Sequence, residues 1–277
     1  MSSALSSRFQ PSDRSLTAEI REHYNSFAWL YRRFWGDHIH HGLFLRGDES
    51  PEQAQLQMLE HCAQLAGIQM GWRILDVGCG HGGTCVHLAS KYQCETTGIT
   101  VSDRQAELGR ENAVRAKVPA EFIVADAEQI AFPAAVFDAV WTMESSEHFA
   151  DKPAYFQKVR HALRGGGMLL LTAWTGSMKR QSIRRVAEDF LCPELLTTEE
   201  YSSLLRQCGF NILKLEDLSQ EVLPTWEICR RRARAGSALL NFLPPRVSRF
   251  VNAMDNILDA YHAGDLHYIV IAAQRLA

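Results

Sequence analysis

The chain has 277 residues, 46% of them apolar and 22% charged, with a net charge of −3. This is the make-up of an ordinary globular protein with room for one large domain, and its weak acidity argues against nucleic acid or anionic membrane as a partner. No apolar run approaches the roughly 18 residues of a spanning helix. The seven cysteines are scattered with no C-x-x-C pair, which fits reduced cytoplasmic thiols rather than a disulfide frame or zinc site.

Met1 to Asp13 is rich in serine but lacks the apolar core of a signal peptide, so residues 1–15 are expected as a disordered tail. From Leu16 to Trp35 the apolar positions Ile20, Tyr24, Phe27, Tyr31 and Phe34 step by 4, 3, 4 and 3, an amphipathic helix with room for a break midway. It reads equally as scaffold or as a lid over a substrate. Next comes Trp35-Gly-Asp-His-Ile-His-His-Gly42. Three histidines and an aspartate so close invite a metal, but there is no H-x-x-x-H pair and no partnering carboxylate or cysteine cluster, so none is expected. Pro51 to Gly67 reads as a second amphipathic helix with Leu56, Leu59, Ala63 and Ala66 on its buried face.

Ile74, Leu75 and Val77 around Asp76 then form a short buried strand, followed by Gly78, Gly80, Gly82 and Gly83 before a helix. Such a turn lets a ligand approach the main chain and offers it the N–H donors of a helix start. Gly78, Gly80 and Gly83 satisfy the dinucleotide fingerprint, which also expects an acid about 20 residues on. The second strand, Cys94 to Thr100, ends Gly-Ile-Thr without one. Asp76, Gly78, Gly80 and Gly82 also satisfy D-x-G-x-G-x-G, which resembles motif I of the class I S-adenosylmethionine-dependent methyltransferases. That resemblance implies that the turn supports the methionine end of S-adenosyl-L-methionine and that Asp76 orients it. The Trp35–Gly42 stretch looks like the W-G-(D/E)-H-x-H-H-G of the tocopherol O-methyltransferase group. In that group the N-terminal segment folds over the cofactor, which makes Tyr24, Trp35, His40 and His41 candidates for the substrate pocket.

Ser102 and Gln105 form S-x-x-Q, a capping box for the helix after the second strand. By resemblance, Thr100 and Gln105 also contact the ribose. The third strand, Glu121 to Ala125, ends in Asp126-Ala127. In the family an acid and a backbone N–H here meet the adenine edge, whose donor–acceptor pair they match. The fourth strand, Phe137 to Met143, runs into Glu144-Ser-Ser-Glu-His148. Strand ends of open α/β sheets face the ligand crevice, and two carboxylates with a histidine could hold and deprotonate a nucleophile there. Met143 is placed at the cofactor, and Glu144, Glu147 and His148 are the catalytic candidates. The competing reading has Glu147 and His148 merely bracing the next helix.

Tyr155 to Leu163 reads as a helix stopped by glycines, and Met168 to Thr172 as a fifth strand. Beyond Ala173 the pattern loosens. Arginines 180, 184 and 185, and later 230, 231, 232 and 234, suit either an anionic acceptor group or, preferably, a solvated face. Trp226, Phe242, Met254 and Tyr261 would give an apolar wall, with Trp226 and Tyr261 set against the substrate. Phe210–Leu218 and His267–Arg275 read as a closing antiparallel pair.

The resemblance implies a Rossmann-like α/β fold with a seven-stranded, mostly parallel sheet and helices on both faces. It divides into a lid over 16–50, a cofactor core over 51–173, and cap insertions with closing strands over 174–277. The expected activity is in-line methyl transfer to a small, largely apolar acceptor at a phenol or quinol oxygen, an amine nitrogen or a prenyl-type carbon. The rivals are an NAD(P)-dependent oxidoreductase, an RNA methyltransferase and a non-catalytic binder. A homo-oligomer stays open.

Overall fold

The computed structural model describes residues 14–36, 38–235 and 245–276, apart from the side chains of 14–15, 27–35, 235 and 245–251. Residues 1–13 of the expected tail, Phe242 and the side chain of Trp35 therefore lie outside the described residues, whereas positions 14 and 15, expected as tail, already belong to the first helix. Seven strands form one sheet in the order β3-β2-β1-β4-β5-β7-β6. They are β1 (Arg73–Val77), β2 (Glu95–Thr100), β3 (Ala120–Val124), β4 (Phe137–Met143), β5 (Leu163–Gly176), β6 (Phe210–Asp217) and β7 (Leu266–Arg275). β1 through β5 pair in parallel, whereas β7 runs antiparallel to both β5 and β6.

Apolar residues fill both faces of the central strands, as parallel strands with crossover helices require. Ile74, Ala139, Trp141, Leu170 and Val270 face one core, which also takes in α2 (Pro51–Leu65), α6 (Gln181–Asp189), α9 (Pro224–Ala235) and α10 (Pro245–His262). Leu75, Val140, Leu169, Leu171 and Ile271 face the other, against α5 (Lys152–Ala162) and α7 (Thr198–Gln207). Between these, α3 (Gly83–Tyr92) and α4 (Asp103–Ala116) make the crossovers of the first half, and α8 (Ser219–Val222) is a short turn after β6.

Three local expectations change. The N-terminal helix α1 (Arg14–Trp35) runs without a break. The fifth strand is longer at both ends, from Leu163 to Gly176: Leu163 pairs with Phe137 of β4, and β7 pairs with the other end as far as Gly176 opposite Leu266. On α2 the buried face is Ala54, Met58, Leu59, Cys62 and Ala63, while Leu56 is 40% exposed.

The chain crosses from one side of the sheet to the other between β1 and β4, so the crevice opens at their C-terminal ends. The two ends are tied together there, since Ser145 Oγ donates to Val77 O at 2.7 Å. Gly78, at φ 80°, lies so close that a Cβ on it would sit 2.3 Å from Ser145 Cβ. A Cβ on Gly80 would meet nothing nearer than the Ile39 side chain at 3.5 Å. Gly78→Ala should therefore lower the unfolding free energy by about 3 kcal/mol and Gly80→Ala by about 1 kcal/mol. Urea denaturation of the two variants checks this; equal losses would contradict the packing account.

Candidate active site

The crevice holds a cleft of about 770 Å³, part of it open to solvent. Val77, Gly78 and Gly80 line one wall, and Thr100, Gln105, Asp126 and Ala127 line the next. Met143, Glu144, Ser145 and His148 come from the end of β4, while Thr17, Ile20 and Tyr24 of α1 close it from above. A second chamber of about 310 Å³ is lined by His38, Ile39, His40, Asp76, Gly83 and Thr84. Gly78, Gly80, Ile39 and Met143 line both, so the two are neighbouring parts of one crevice.

Of the motif glycines, Gly82 lines neither chamber. It caps α3 at φ 76°, and a Cβ there would strike the Phe122 ring at 2.5 Å. It is glycine because α4 and β3 crowd it.

Ser102 Oγ accepts from Gln105 N, but the reciprocal half of the expected capping box is absent. The Gln105 Oε1 atom instead accepts from the Thr100 hydroxyl at 2.7 Å, and Thr100 Oγ1 accepts from Ser102 N. This ties the Gln105 amide oxygen to Thr100 at the edge of the cleft that both line and leaves the NH2 as the amide's donor end. At the third strand's end, Asp126 Oδ1 accepts from Glu128 N at 2.8 Å and Oδ2 from Thr17 Oγ1 at 3.2 Å. The α1 helix is also held across the cleft by Arg21 Nε to Val101 O and by Ser102 Oγ to Asn25 Oδ1. Nothing in the local pattern of α1 had marked Thr17 or Asn25.

Asp76 is 2% exposed, and burial pushes its pKa up to about 7, against a hydrogen bond from the Cys85 thiol that lowers it. A buried carboxylate facing a polar chamber is a place for a cationic ligand group.

The turn after β4 carries the three catalytic candidates in different directions. Glu144 adopts a left-handed backbone at φ 49°. Its carboxylate accepts from His41 N, from His41 Nδ1 and from the Tyr268 hydroxyl, each at 2.8 Å. Burial alone would raise its pKa, but His41 and these bonds outweigh it and hold the value below 4.5. Trp226 Nε1–H donates to His41 Nε2 at 2.6 Å, which leaves His41 Nδ1 to donate to Glu144. Tyr261 OH also reaches Nε2, at 3.4 Å. His41, Trp226 and Tyr261 thus pack on one another behind the cleft wall rather than lining it, because each polar edge among them is used by another. His40 faces the smaller chamber beside Asp76.

Glu147 points away from the cleft, accepting from Trp174 N at 2.7 Å, and burial pushes its pKa up to about 7. Lys152, 2% exposed, binds the carbonyls of Phe149 and Glu194 and fixes the turn from below. His148 does line the cleft. Its Nδ1 lies 3.3 Å from Leu191 O, a pure acceptor, so Nδ1 carries the proton and Nε2 a lone pair. The Tyr24 hydroxyl donates to that lone pair at 3.2 Å. Burial lowers the His148 pKa to about 4, which keeps the ring neutral near pH 7.

Residues 12–237 match the family described as Mycolic acid cyclopropane synthetase. The chain belongs to that family. It is 28% identical to tocopherol O-methyltransferase, chloroplastic, of Arabidopsis thaliana, over 95% of this chain and 84% of that protein. It is 30% identical to 27-O-demethylrifamycin SV methyltransferase of Amycolatopsis mediterranei, over 75% of this chain and 79% of that protein. Among solved structures, mycolic acid cyclopropane synthase CmaA1 complexed with SAH and CTAB superposes with a TM-score of 0.84 at 20% identity, covering 96% and 99% of the two chains. The protein is a class I S-adenosylmethionine-dependent methyltransferase of the tocopherol-like group, with S-adenosylmethionine as its cofactor. The nicotinamide reading of the glycine turn falls away.

The residues present fit that cofactor, in that a carboxylate faces each end of the crevice, Asp76 at one and Asp126 at the other. The arginine clusters lie elsewhere. Arg180 pairs with Asp265, Arg230 and Arg234 pair with Asp255, and Arg184 binds the carbonyls of Met178 and Lys179. Among the described residues no group of three or more His, Cys, Asp or Glu could hold a metal ion, and no helix is long and apolar enough to cross a membrane.

Glu144→Gln leaves a buried donor without an ionised partner and should cost about 3 kcal/mol of stability at pH 7. The folded pKa lies below the ordinary 4.5, so this stabilisation is complete above that value and lost as pH falls through the folded pKa. The gap between variant and parent in urea unfolding should therefore shrink as pH falls below the ordinary carboxylate range and through the folded pKa; a gap constant with pH would contradict the assignment.

Proposed function

We propose that the protein methylates the hydroxyl of a phenol or hydroquinol borne on a small, largely apolar molecule, and that His148 takes the proton. The observation that supports this best is the Tyr24–His148 pair: a phenol of the chain itself already donates to the neutral imidazole at the cleft wall, 3.2 Å away. An acceptor of the same chemistry, entering beside Met143, would find the same lone pair. The name of one relative, tocopherol O-methyltransferase, and the 27-O-demethyl substrate named for another support oxygen as the atom methylated.

The bound cofactor supplies an electrophilic sulfonium methyl, open to in-line attack. The chain's own task is alignment, exclusion of water and removal of one proton. Asp126 and Ala127 would meet the adenine edge, Thr100 and Gln105 the ribose, and Asp76 with Gly78 and Gly80 the amino-acid end. Gly82 would act by letting α3 pack. Met143, common to both chambers, would lie under the reacting centre. A base with a pKa near 4 is weak, but the hydroxyl becomes strongly acidic as its oxygen gives electron density to the methyl carbon. Nε2 then accepts the proton, and the imidazolium so formed still donates through Nδ1 to Leu191 O. Glu144 and Glu147 act by position: one fixes the turn to His41 and Tyr268, the other to the Trp174 main chain.

In this reading α1 and the segment to residue 50 form the lid, 51–173 the cofactor core, and 174–277 the cap with the closing strands. The lid's Ile20 and Tyr24 would keep water from the reacting atoms. The seven cysteines are all free and buried, which suits a reducing compartment such as the cytoplasm.

Transfer of a labelled methyl group across panels of phenols, hydroquinols, amines and prenyl diphosphates tests the acceptor. Label should enter phenolic oxygens; label confined to amines or prenyl carbons would sink the proposal. On the phenol that accepts, His148→Ala should lower kcat about a hundredfold or more while the dissociation constant of S-adenosylhomocysteine stays put. Unchanged kcat would remove His148 as the base.

A further inference from the structure

The smaller chamber contains a polar atom that the mechanism above does not use. His40 is 6% exposed and lines the chamber together with Asp76, Gly80 and Thr84. Its Nδ1 lies 2.8 Å from the His41 carbonyl, which can only accept, so Nδ1 carries the proton and Nε2 presents a lone pair. That Nε2 is buried and has no hydrogen-bond partner. A buried acceptor left unmatched costs free energy, which makes it a marker for a ligand donor.

The ring is also held in place from several sides. Gln55 Nε2, on α2, donates to His38 O at 2.8 Å and to His40 O at 3.3 Å, fixing the main chain on both sides of Ile39. The His41 carbonyl that orients the ring is fixed in turn, because His41 is bound through its N–H and its Nδ1 to Glu144. The His38 ring packs edge-on against His40 with centroids 5.4 Å apart. Burial lowers the pKa of both histidines, His38 to about 3, so both stay neutral. An acceptor fixed this firmly, facing a chamber with a buried carboxylate, is built for a cation with hydrogens to give.

We propose that His40 reads the amino-acid end of the cofactor, its Nε2 accepting a hydrogen bond from the α-ammonium in the chamber that Asp76 shares. This assignment rests on S-adenosylmethionine as cofactor, and it moves His40 from the acceptor side of the reaction to the donor side. The N–H groups at the start of α3, ten residues long, stand in the same chamber at Gly83 and Thr84 and suit the α-carboxylate. The zwitterion would thus be split between backbone donors and the His40–Asp76 pair. Gln55 becomes a positioning residue that acts through the His38–His40 main chain.

The test compares ligands with and without the group in question by isothermal titration. The ligands are S-adenosylhomocysteine, its analogue lacking the α-amino group, and 5′-methylthioadenosine, which lacks the whole amino-acid end. The proteins are the unaltered chain, His40→Asn, which keeps a donor near Nδ1 but removes Nε2, and His40→Gln, which restores a polar atom near Nε2. His40→Asn should bind S-adenosylhomocysteine about tenfold or more weakly, yet bind the desamino analogue and 5′-methylthioadenosine as the unaltered chain does. His40→Gln should recover most of the loss. A loss shared equally by all three ligands, or no loss at all, would overturn the assignment, and a His40→Gln variant as weak as His40→Asn would do the same. Failure of the unaltered chain to bind S-adenosylhomocysteine would instead strike at the cofactor itself, and His40 would fall with it.

Discussion

The mouth of this sheet depends on one buried carboxylate. Glu144 leaves β4 in a left-handed conformation and accepts hydrogen bonds from the segment before α2, through His41, and from β7, through Tyr268. A carboxylate taken out of water costs several kcal/mol unless its lone pairs are matched, so these bonds are made together or the turn is not stable. Trp226 and Tyr261 then complete the far side of the His41 ring. Residues far apart in the chain are thereby locked to the exit of the central strand.

The lock has consequences on both sides. With His41 fixed, Ile39 is set over Gly80 and His40 is turned into the chamber beside Asp76. With the β4 exit fixed, the short helical turn Ser146–His148 delivers His148 to the wall of the larger cleft. Lys152 and Glu147 reinforce that turn from within the fold. The two chambers of the crevice are thus positioned by a single structural knot, an arrangement suited to holding bound groups in alignment.

The cofactor half was largely legible in the sequence because its signals are local. The Asp76–Gly83 spacing, the apolar runs of β1 and β4, and the acid closing β3 each lie within a few residues, and each element formed close to where it was read. The acceptor half was less legible, for a physical reason. Its aromatic residues looked like a substrate wall, yet the bonds that bury them join His41 to positions 185 and 220 residues away. Periodicity reports which face of an element is apolar but not which distant polar edge meets it. Gly82 shows the same limit on a smaller scale: its place in the motif was visible, but its packing against Phe122 was not. Thr17 and Asn25 gave no signal at all, since their partners, Asp126 and Ser102, come from other parts of the sheet.

His148 is proposed as the group that meets the acceptor's reacting hydroxyl. A crystal structure with S-adenosylhomocysteine and a methylatable phenol bound together tests it most directly. The phenol oxygen should lie within hydrogen-bond distance of His148 Nε2, with the Tyr24 hydroxyl displaced from it and the cofactor sulfur on the other side of that oxygen. A phenol bound next to the sulfur while Tyr24 still donates to His148 would contradict the account.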